Sequence, residues 1–291
     1  MDAQLISGNT RLIGLLGNPV AHSISPLIHN HALRRLCLPF AYIPLGVPTS
    51  ELHSVIHSMR VLGFAGANVT VPHKQQVLHY CDAVSDLSQK IGAVNTLYVR
   101  DRVLHGTTTD AQGFFRALSW MGHDARNGSI VILGNGGTAR TLGYAFAIKA
   151  QCAALTLIGR KQERVGTLAE EISRTTGFKV AWALFSSASL PAILEKCTLL
   201  INCTPVGMHP HKGTAPLDQS QLHTGITVFD AIYSPLETKL LASAKAAGCA
   251  TQNGLRMLLY QALASFTCWT GVEAPDTLFD IHELERQITG T

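Results

Sequence analysis

The chain has 291 residues, 46% hydrophobic and only 14% charged, a composition that supports a large buried core and excludes intrinsic disorder. Its length favours two domains over one. The net charge of +4 is small and the 23 Lys and Arg are scattered, so no nucleic-acid-binding surface is expected and any anionic ligand is small.

Strand-like and helix-like segments alternate along the chain. Residues 11–17 read as a buried strand, about 26–38 as a helix, "FAYIPLGV" as a strand and 50–63 as a helix. In "GANVTVPHK", Val69 and Val71 alternate with Asn68 and Thr70. Pro72, of the type favoured at the first helical position, then predicts a helix with Lys74 in its first turn. A lysine there opposes the helix dipole, which calls for a reason. Residues 93–110 read as two strands joined at "RDR".

From Asp110 a second pattern begins. A helix in "AQGFFRALSWMG" precedes the strand "SIVIL", a glycine loop and a helix over 138–150. The strand "ALTLIG", a helix over 162–176, the strand "VAWAL", a short helix, and the strands "TLLINCT" and "ITVFDAIY" follow. "TKLLASAKAAG", a long apolar helix over 254–271 and a last helix from about Asp276 complete the chain. Such alternation implies βαβ units with right-handed crossovers. The expected fold is α/β in two domains: an N-terminal α/β domain over 1–109, and a Rossmann-type doubly wound parallel sheet over 110–253. Pattern alone leaves open which domain takes the last two helices.

The seven cysteines show no C-x-x-C spacing, which suits buried thiols in a reducing compartment rather than a disulfide framework or zinc site. No bound metal is expected. There is no basic segment followed by an apolar one at the N-terminus, and no apolar run near the roughly 18 residues of a membrane span. The expectation is a cytoplasmic protein without membrane contact.

The strand "SIVIL" runs into Gly134-Asn135-Gly136-Gly137-Thr138-Ala139, which fits G-x-G-x-x-[GA] in its required strand–loop–helix context. Glycines allow a tight turn and let backbone approach a pyrophosphate at the helix N-terminus. The next strand ends in Gly159-Arg160-Lys161, with Arg164 one turn on. An NAD site calls for a carboxylate at that strand end to hold the ribose 2′-hydroxyl. Three cations in its place suit a 2′-phosphate, so the expected cofactor is NADP.

A dinucleotide implies redox chemistry on a small molecule. "HSISP" offers Ser23 and Ser25 in a loop before a helix, although capping by Ser25 would explain one hydroxyl. Asn68, Thr70, Lys74, Asn95 and Asp110 are further polar candidates. A Lys–Asp pair could move the proton that accompanies hydride transfer between alcohol and ketone. From spacing alone, an ordinary ion pair at a domain boundary explains it equally well.

In chain order, "GNPVAHSISPLIHN", "GANVTVPHK", "GAVNT", "GTTTDAQGF", "GNGGTAR", "INCTPVGM", "DAIYSPLETKLL" and "NGLRMLLYQA" span residues 17 to 262. Together they resemble the shikimate dehydrogenase family. The resemblance implies reversible NADP-dependent reduction of 3-dehydroshikimate to shikimate in aromatic amino-acid biosynthesis. Lys74 matches the family's catalytic lysine and Asp110 its partner. Ser23, Ser25, Asn68, Thr70, Asn95 and Gln261 match residues that hold the substrate's hydroxyls and carboxylate, with Tyr233 a further substrate-side position. Gly134 to Thr138 match the phosphate loop, Arg160 and Arg164 the 2′-phosphate contacts, and Met208 and Gly254 positions near the nicotinamide. The resemblance also implies that 254–291 returns to the first domain.

Three departures stand out. Thr108 takes the place of an Asn two residues before the aspartate, with Ala111 after it. Gly159 takes the place of an Asn, and Asn135 of an Ala. Two other readings remain at this stage: a quinate or dual quinate/shikimate dehydrogenase, and a non-catalytic NADP-binding sensor. Monomer and homodimer are both open.

Overall fold

A computed structural model of the chain describes residues 6–149 and 152–289. Two compact units emerge, Met1–Gly113 with Leu259–Asp280, and Phe114–Leu258 with Ile281–Thr291.

The elements of the N-terminal part are β1 (Arg11–Gly17), α1 (Ser25–Arg35), β2 (Phe40–Gly46), α2 (Leu52–Val61), β3 (Gly66–Val69), β4 (Ala83–Val84), α3 (Asp86–Ile91), β5 (Thr96–Arg100), β6 (Val103–Thr107) and α4 (Asp110–Trp120). The sheet order is β2-β1-β3-β5-β6-β4. β1 runs parallel to β2 and β3, whereas β5 pairs antiparallel with both β3 and β6. The tight link between β5 and β6 is the expected one: Asp101 and Arg102 take φ of 51° and 63°, the left-handed pair that a two-residue hairpin needs. Leu16, Ala67, Val69 and Leu97 from the strands pack with Leu52, Ile56 and Met59 of α2 to form this unit's core.

The sequence predicts a helix opened by Pro72, and this is corrected. Residues 71–75 form turns and only a 3-10 segment, Gln76–Tyr80, follows. The reason is a bond from 20 residues away. The Lys74 carbonyl accepts from the Val94 N–H at 2.8 Å, so it is not available to an α-helical ladder. Lys74 therefore faces no α-helix dipole. The capping role considered for Ser25 also falls away, because Ser25 is already helical and Ile24, at the cap position, makes no side-chain cap bond.

The remaining elements are β7 (Ser129–Leu133), α5 (Gly137–Lys149), β8 (Ala154–Gly159), α6 (Gln162–Thr176), β9 (Val180–Leu184), α7 (Leu190–Glu195), β10 (Leu199–Asn202), β11 (Thr227–Asp230), α8 (Lys239–Ala246), β12 (Ala250–Gln252), α9 (Leu255–Thr270) and α10 (Ile281–Thr289). β7 to β12 form an all-parallel sheet of order β12-β11-β10-β7-β8-β9. Counted from β7 this is 3-2-1-4-5-6, the Rossmann order, whose switch point lies between β7 and β10. The inner strands β7, β10 and β11 are buried nearly throughout, as parallel strands covered on both faces must be. The last predicted helix begins later than Asp276, after a 3-10 turn at Asp276–Leu278.

From Leu259 onward α9 packs on the first sheet. Its Trp269 donates from Nε1 to the Leu97 carbonyl at 2.7 Å. Gly66 makes room: a Cβ there would lie 2.1 Å from that same oxygen and 2.6 Å from the Trp269 ring.

His29, wholly buried, stacks on Tyr42 with ring centroids 4.4 Å apart and meets Trp269 edge-on at 5.0 Å. Burial pushes its imidazole down to about 3, against a smaller opposing pull from Asn68. Between that value and the ordinary 6.5 the unfolded chain binds a proton that the folded chain refuses. Stability therefore falls as pH drops below about 6.5, by up to about 1.4 kcal/mol per pH unit. His29→Phe keeps the aromatic packing and removes this linkage. Urea unfolding at about pH 7 and about pH 5 should show a wild-type loss exceeding the variant's by about 2 kcal/mol. Equal losses in the two proteins would refute the assignment.

Candidate active site

In the first unit, polar side chains from β3, β5, α4 and α9 meet in one hydrogen-bonded network. Lys74 Nζ donates to Asp110 Oδ2 at 2.8 Å. Asp110 opens α4, where the helix dipole favours a carboxylate. Its other oxygen accepts from Asn95 Nδ2 at 2.8 Å. The carboxylate is 16% exposed and the lysine side chain 34%, so the pair is held from the protein side yet open to a ligand.

Asn95 is the centre of this arrangement. Its Nδ2 also lies 3.0 Å from Thr109 Oγ1 and 3.3 Å from Gln261 Oε1. Its Oδ1 accepts from the Thr109 N–H at 2.9 Å and from Thr96 Oγ1 at 2.8 Å. Thr109, not Thr108, thus fixes the loop that carries Asp110, and the departure at Thr108 leaves this anchoring intact. Ala111 sits 4% exposed on the buried side of α4.

Asn68 joins from β3. Its Nδ2 donates towards Ser265 Oγ at 3.1 Å, the Asn95 carbonyl at 3.2 Å and Thr96 Oγ1 at 3.3 Å. Its Oδ1 accepts from the Tyr42 hydroxyl at 2.8 Å, and the Ser25 side chain lies beside Tyr42. Ser23 Oγ accepts from the Ser25 N–H at 3.2 Å. Thr70 follows β3 directly, with its N–H bonded to the Leu16 carbonyl at 2.8 Å.

The structure therefore gathers Ser25, Asn68, Lys74, Asn95, Asp110 and Gln261, with Ser23 one bond further out. It also recruits Tyr42, Thr96, Thr109 and Ser265, which sequence reasoning missed. Thr109 lies in the quoted "GTTTDAQGF". Ser265, fully buried at the centre of a helix, carries no signal beyond being a hydroxyl in an apolar run.

In the second unit a cavity of about 390 Å³ opens at the switch point. Gly134, Asn135 and Gly136 after β7, Gly159 and Arg160 after β8, and the segment Cys203–Val206 after β10 line it, together with Phe185. Sequence reasoning missed Phe185 and Cys203–Val206. Gly137, Thr138, Lys161, Arg164, Met208 and Gly254 are not among its lining residues.

The cavity suits a dinucleotide. Gly134 has φ of 109° and a Cβ there would lie 3.1 Å from the Cys203 carbonyl oxygen, while Gly136 and Gly137 have open space where a Cβ would be. That leaves backbone at the N-terminus of the 13-residue α5 approachable by an anion. Arg160, Lys161 and Arg164 crowd the N-terminal end of α6, where the dipole disfavours cations. All three are exposed, and none has a carboxylate partner among the described residues. A phosphate at this position would resolve that conflict. Gly159, unusual at its position, has its reason too: a Cβ would lie 2.8 Å from Val165 Cβ.

Tyr233 is partly buried, which raises its phenol above the ordinary range. Met208 is 42% exposed. Gly254 packs so closely that a Cβ would lie 2.2 Å from the Ala231 carbonyl oxygen. Among the described residues no group of three or more His, Cys, Asp or Glu could hold a metal ion.

The family model for the shikimate dehydrogenase substrate binding domain matches residues 15–97, and that for the shikimate 5'-dehydrogenase C-terminal domain matches residues 254–278. The chain is 41% identical over 275 residues to a shikimate dehydrogenase (NADP(+)) of Moorella thermoacetica, covering 94% of this chain and 93% of that one. It is similar to a solved shikimate 5-dehydrogenase of Listeria monocytogenes in complex with shikimate and NAD: TM-score 0.89, 34% identity, 94% of this chain and 96% of that one. It is also similar to the shikimate 5-dehydrogenase of Thermus thermophilus in complex with NADP(H) and shikimate: TM-score 0.83, 33% identity, 96% of this chain and 99% of that one.

Proposed function

This chain belongs to the shikimate dehydrogenase family, and from that premise we propose which of its residues carry out the family's reaction. It is an NADP-dependent oxidoreductase acting on a CH–OH group, interconverting 3-dehydroshikimate and shikimate. The quinate and sensor alternatives are not favoured.

The observation that carries the residue assignment is the Lys74–Asp110 pair at 2.8 Å, anchored by Asn95. In the direction of reduction, Lys74 as its ammonium gives a proton to the substrate's carbonyl oxygen as hydride reaches the carbon. In the reverse direction, Lys74 as its amine takes the hydroxyl proton. Asp110 holds Nζ in place through its accepted bond, and the Asn95–Thr109 pair holds Asp110. NADP, when bound, gives or takes the hydride.

Ser23, Ser25 and Thr70 are proposed to bind the ring hydroxyls and carboxylate, with Gln261 and Tyr233 as further contacts. Asn68 and Asn95 are proposed contacts whose orientation is preset by their bonds to Tyr42, Thr96 and Thr109. On the cofactor side, Gly134 to Thr138 cradle the pyrophosphate and Arg160, Lys161 and Arg164 meet the 2′-phosphate. Met208 and Gly254 are proposed at the nicotinamide end. The proposed division of labour is a substrate domain of 1–109 with 254–291 and an NADP domain of 110–253.

Among the described residues no helix is long and apolar enough to cross a membrane. All seven cysteines are free, which supports a reducing, cytoplasmic location. The proposed assembly is a monomer or homodimer.

The test is turnover with shikimate or quinate, each paired with NADP+ or NAD+. Strong turnover with shikimate and NADP+ alone is the expected result. Comparable turnover with quinate would replace the substrate reading, and no preference for NADP+ over NAD+ would overturn the role given to Arg160.

A further inference from the structure

Two motifs, "INCTPVGM" and "DAIYSPLETKLL", have a part that the reaction itself does not explain. They end β10 and β11, where Asn202 and Asp230 stand side by side in register. Both are fully buried. Asp230 Oδ1 accepts from Asn202 Nδ2 at 3.0 Å and from the Ile232 N–H at 3.1 Å, and Oδ2 accepts from Thr238 Oγ1 at 2.6 Å.

Each donor leads elsewhere. Asn202 Oδ1 accepts from the Thr204 N–H at 3.0 Å and from Thr204 Oγ1 at 2.7 Å. Thr204 Oγ1 in turn accepts from the Val206 N–H at 3.2 Å. These bonds shape Cys203–Val206, one wall of the cavity at the switch point. The Ile232 carbonyl accepts from the Gly254 N–H at 2.9 Å, which ties the segment before Tyr233 to the start of α9. Thr238 caps α8 by accepting from the Leu241 N–H at 3.3 Å.

We propose that Asp230 is a positioning residue for the cofactor. Its carboxylate sets the Cys203–Val206 wall through Asn202 and the Ala231–Tyr233 segment through Ile232, so that NADP meets a wall already formed. This rests on the reading that the cavity takes NADP. A carboxylate fits the position because it accepts at both oxygens, and all three neighbours donate. An amide of the same shape would aim its own N–H groups at one of those donors. Burial pushes the Asp230 carboxyl up to about 6, while the bonds from Thr238, Ile232 and Asn202 pull it down. The acceptor-only form therefore prevails at neutral pH. A wall formed in advance spares the ordering that a ligand would otherwise have to impose.

The test compares wild type, Asp230→Asn, Thr204→Val and Thr204→Ser. NADP affinity is measured by titration calorimetry, with kcat and KM for shikimate measured in parallel at saturating NADP+. Asp230→Asn and Thr204→Val should each raise the Kd for NADP by about tenfold and leave KM for shikimate within about twofold, the scale of one lost hydrogen bond to a charged or buried group. Thr204→Ser, which keeps the hydroxyl, should bind like wild type. Thr204 is only partly buried, so its two variants decide the matter if Asp230→Asn does not fold. Wild-type affinity in folded Asp230→Asn or in Thr204→Val overturns the proposal. So does an equal loss in Thr204→Val and Thr204→Ser. A wild-type protein that turns over shikimate yet binds NADP no better than NAD would instead count against the cofactor reading, and the positioning role would fall with it.

Discussion

Lys74→Ala lowers kcat by about 10²-fold or more while KM for shikimate changes little, the scale typical of a general acid–base group. The expectation follows from the geometry. Lys74 Nζ sits 2.8 Å from Asp110 and its side chain is 34% exposed, so it is positioned and accessible at once. The loss is not an indirect effect of unfolding. Removing Lys74 takes away the more exposed partner, at 34% against 16%, and without it the Asp110 carboxylate keeps its bond from Asn95 and its place at the start of α4. Steady-state kinetics with shikimate and NADP+ provide the check. An unchanged kcat with a raised KM would make Lys74 a binding residue instead.

Arg160→Ala raises KM for NADP+ by about tenfold and leaves KM for NAD+ unchanged. A charge-assisted bond to a phosphate is worth more than this when shielded, but Arg160 is exposed and Lys161 and Arg164 stand beside it, so the lower end of the range applies. The selectivity is the informative part. If Arg160 meets the 2′-phosphate, only the cofactor that carries one notices its loss. A parallel rise for both cofactors would place Arg160 at the pyrophosphate or adenine, and an unchanged KM for NADP+ would leave it outside the site.

The Rossmann half was legible in the sequence because its signals are local. A buried strand, a glycine loop and a helix stand consecutively from Ser129 to Lys149, and the cations after β8 lie within one turn of one another. The hairpin at Asp101 and Arg102 was legible for the same reason. Other elements were not. β12 is three residues long and half-buried, too short for any period to register. The helix expected after Pro72 fails because a distant residue, Val94, takes the Lys74 carbonyl, and no local pattern announces that bond. The conflict with a helix dipole expected at Lys74 occurs instead among the cations at the start of α6.

The candidate site divides in the same way. Asn68, Lys74, Asn95 and Asp110 stand out in short polar stretches. Tyr42, Thr96, Thr109 and Ser265 complete their network from as far as 197 residues away along the chain, and only the fold brings them together. The buried Asn202–Asp230–Thr238 cluster is a similar case. Its residues lie in motifs that could be recognised, while the bonds that give them a purpose could not.

The claim that Lys74 and Asp110 act as one unit is tested most directly by a double-mutant cycle in kcat. Lys74→Ala, Asp110→Asn and the double variant are compared with wild type under saturating shikimate and NADP+. Residues that act together lose their function once. The double variant should then fall no more than about threefold below the worse single variant. Losses that multiply across the two positions, or a wild-type kcat in Asp110→Asn, would contradict a shared role in moving the proton.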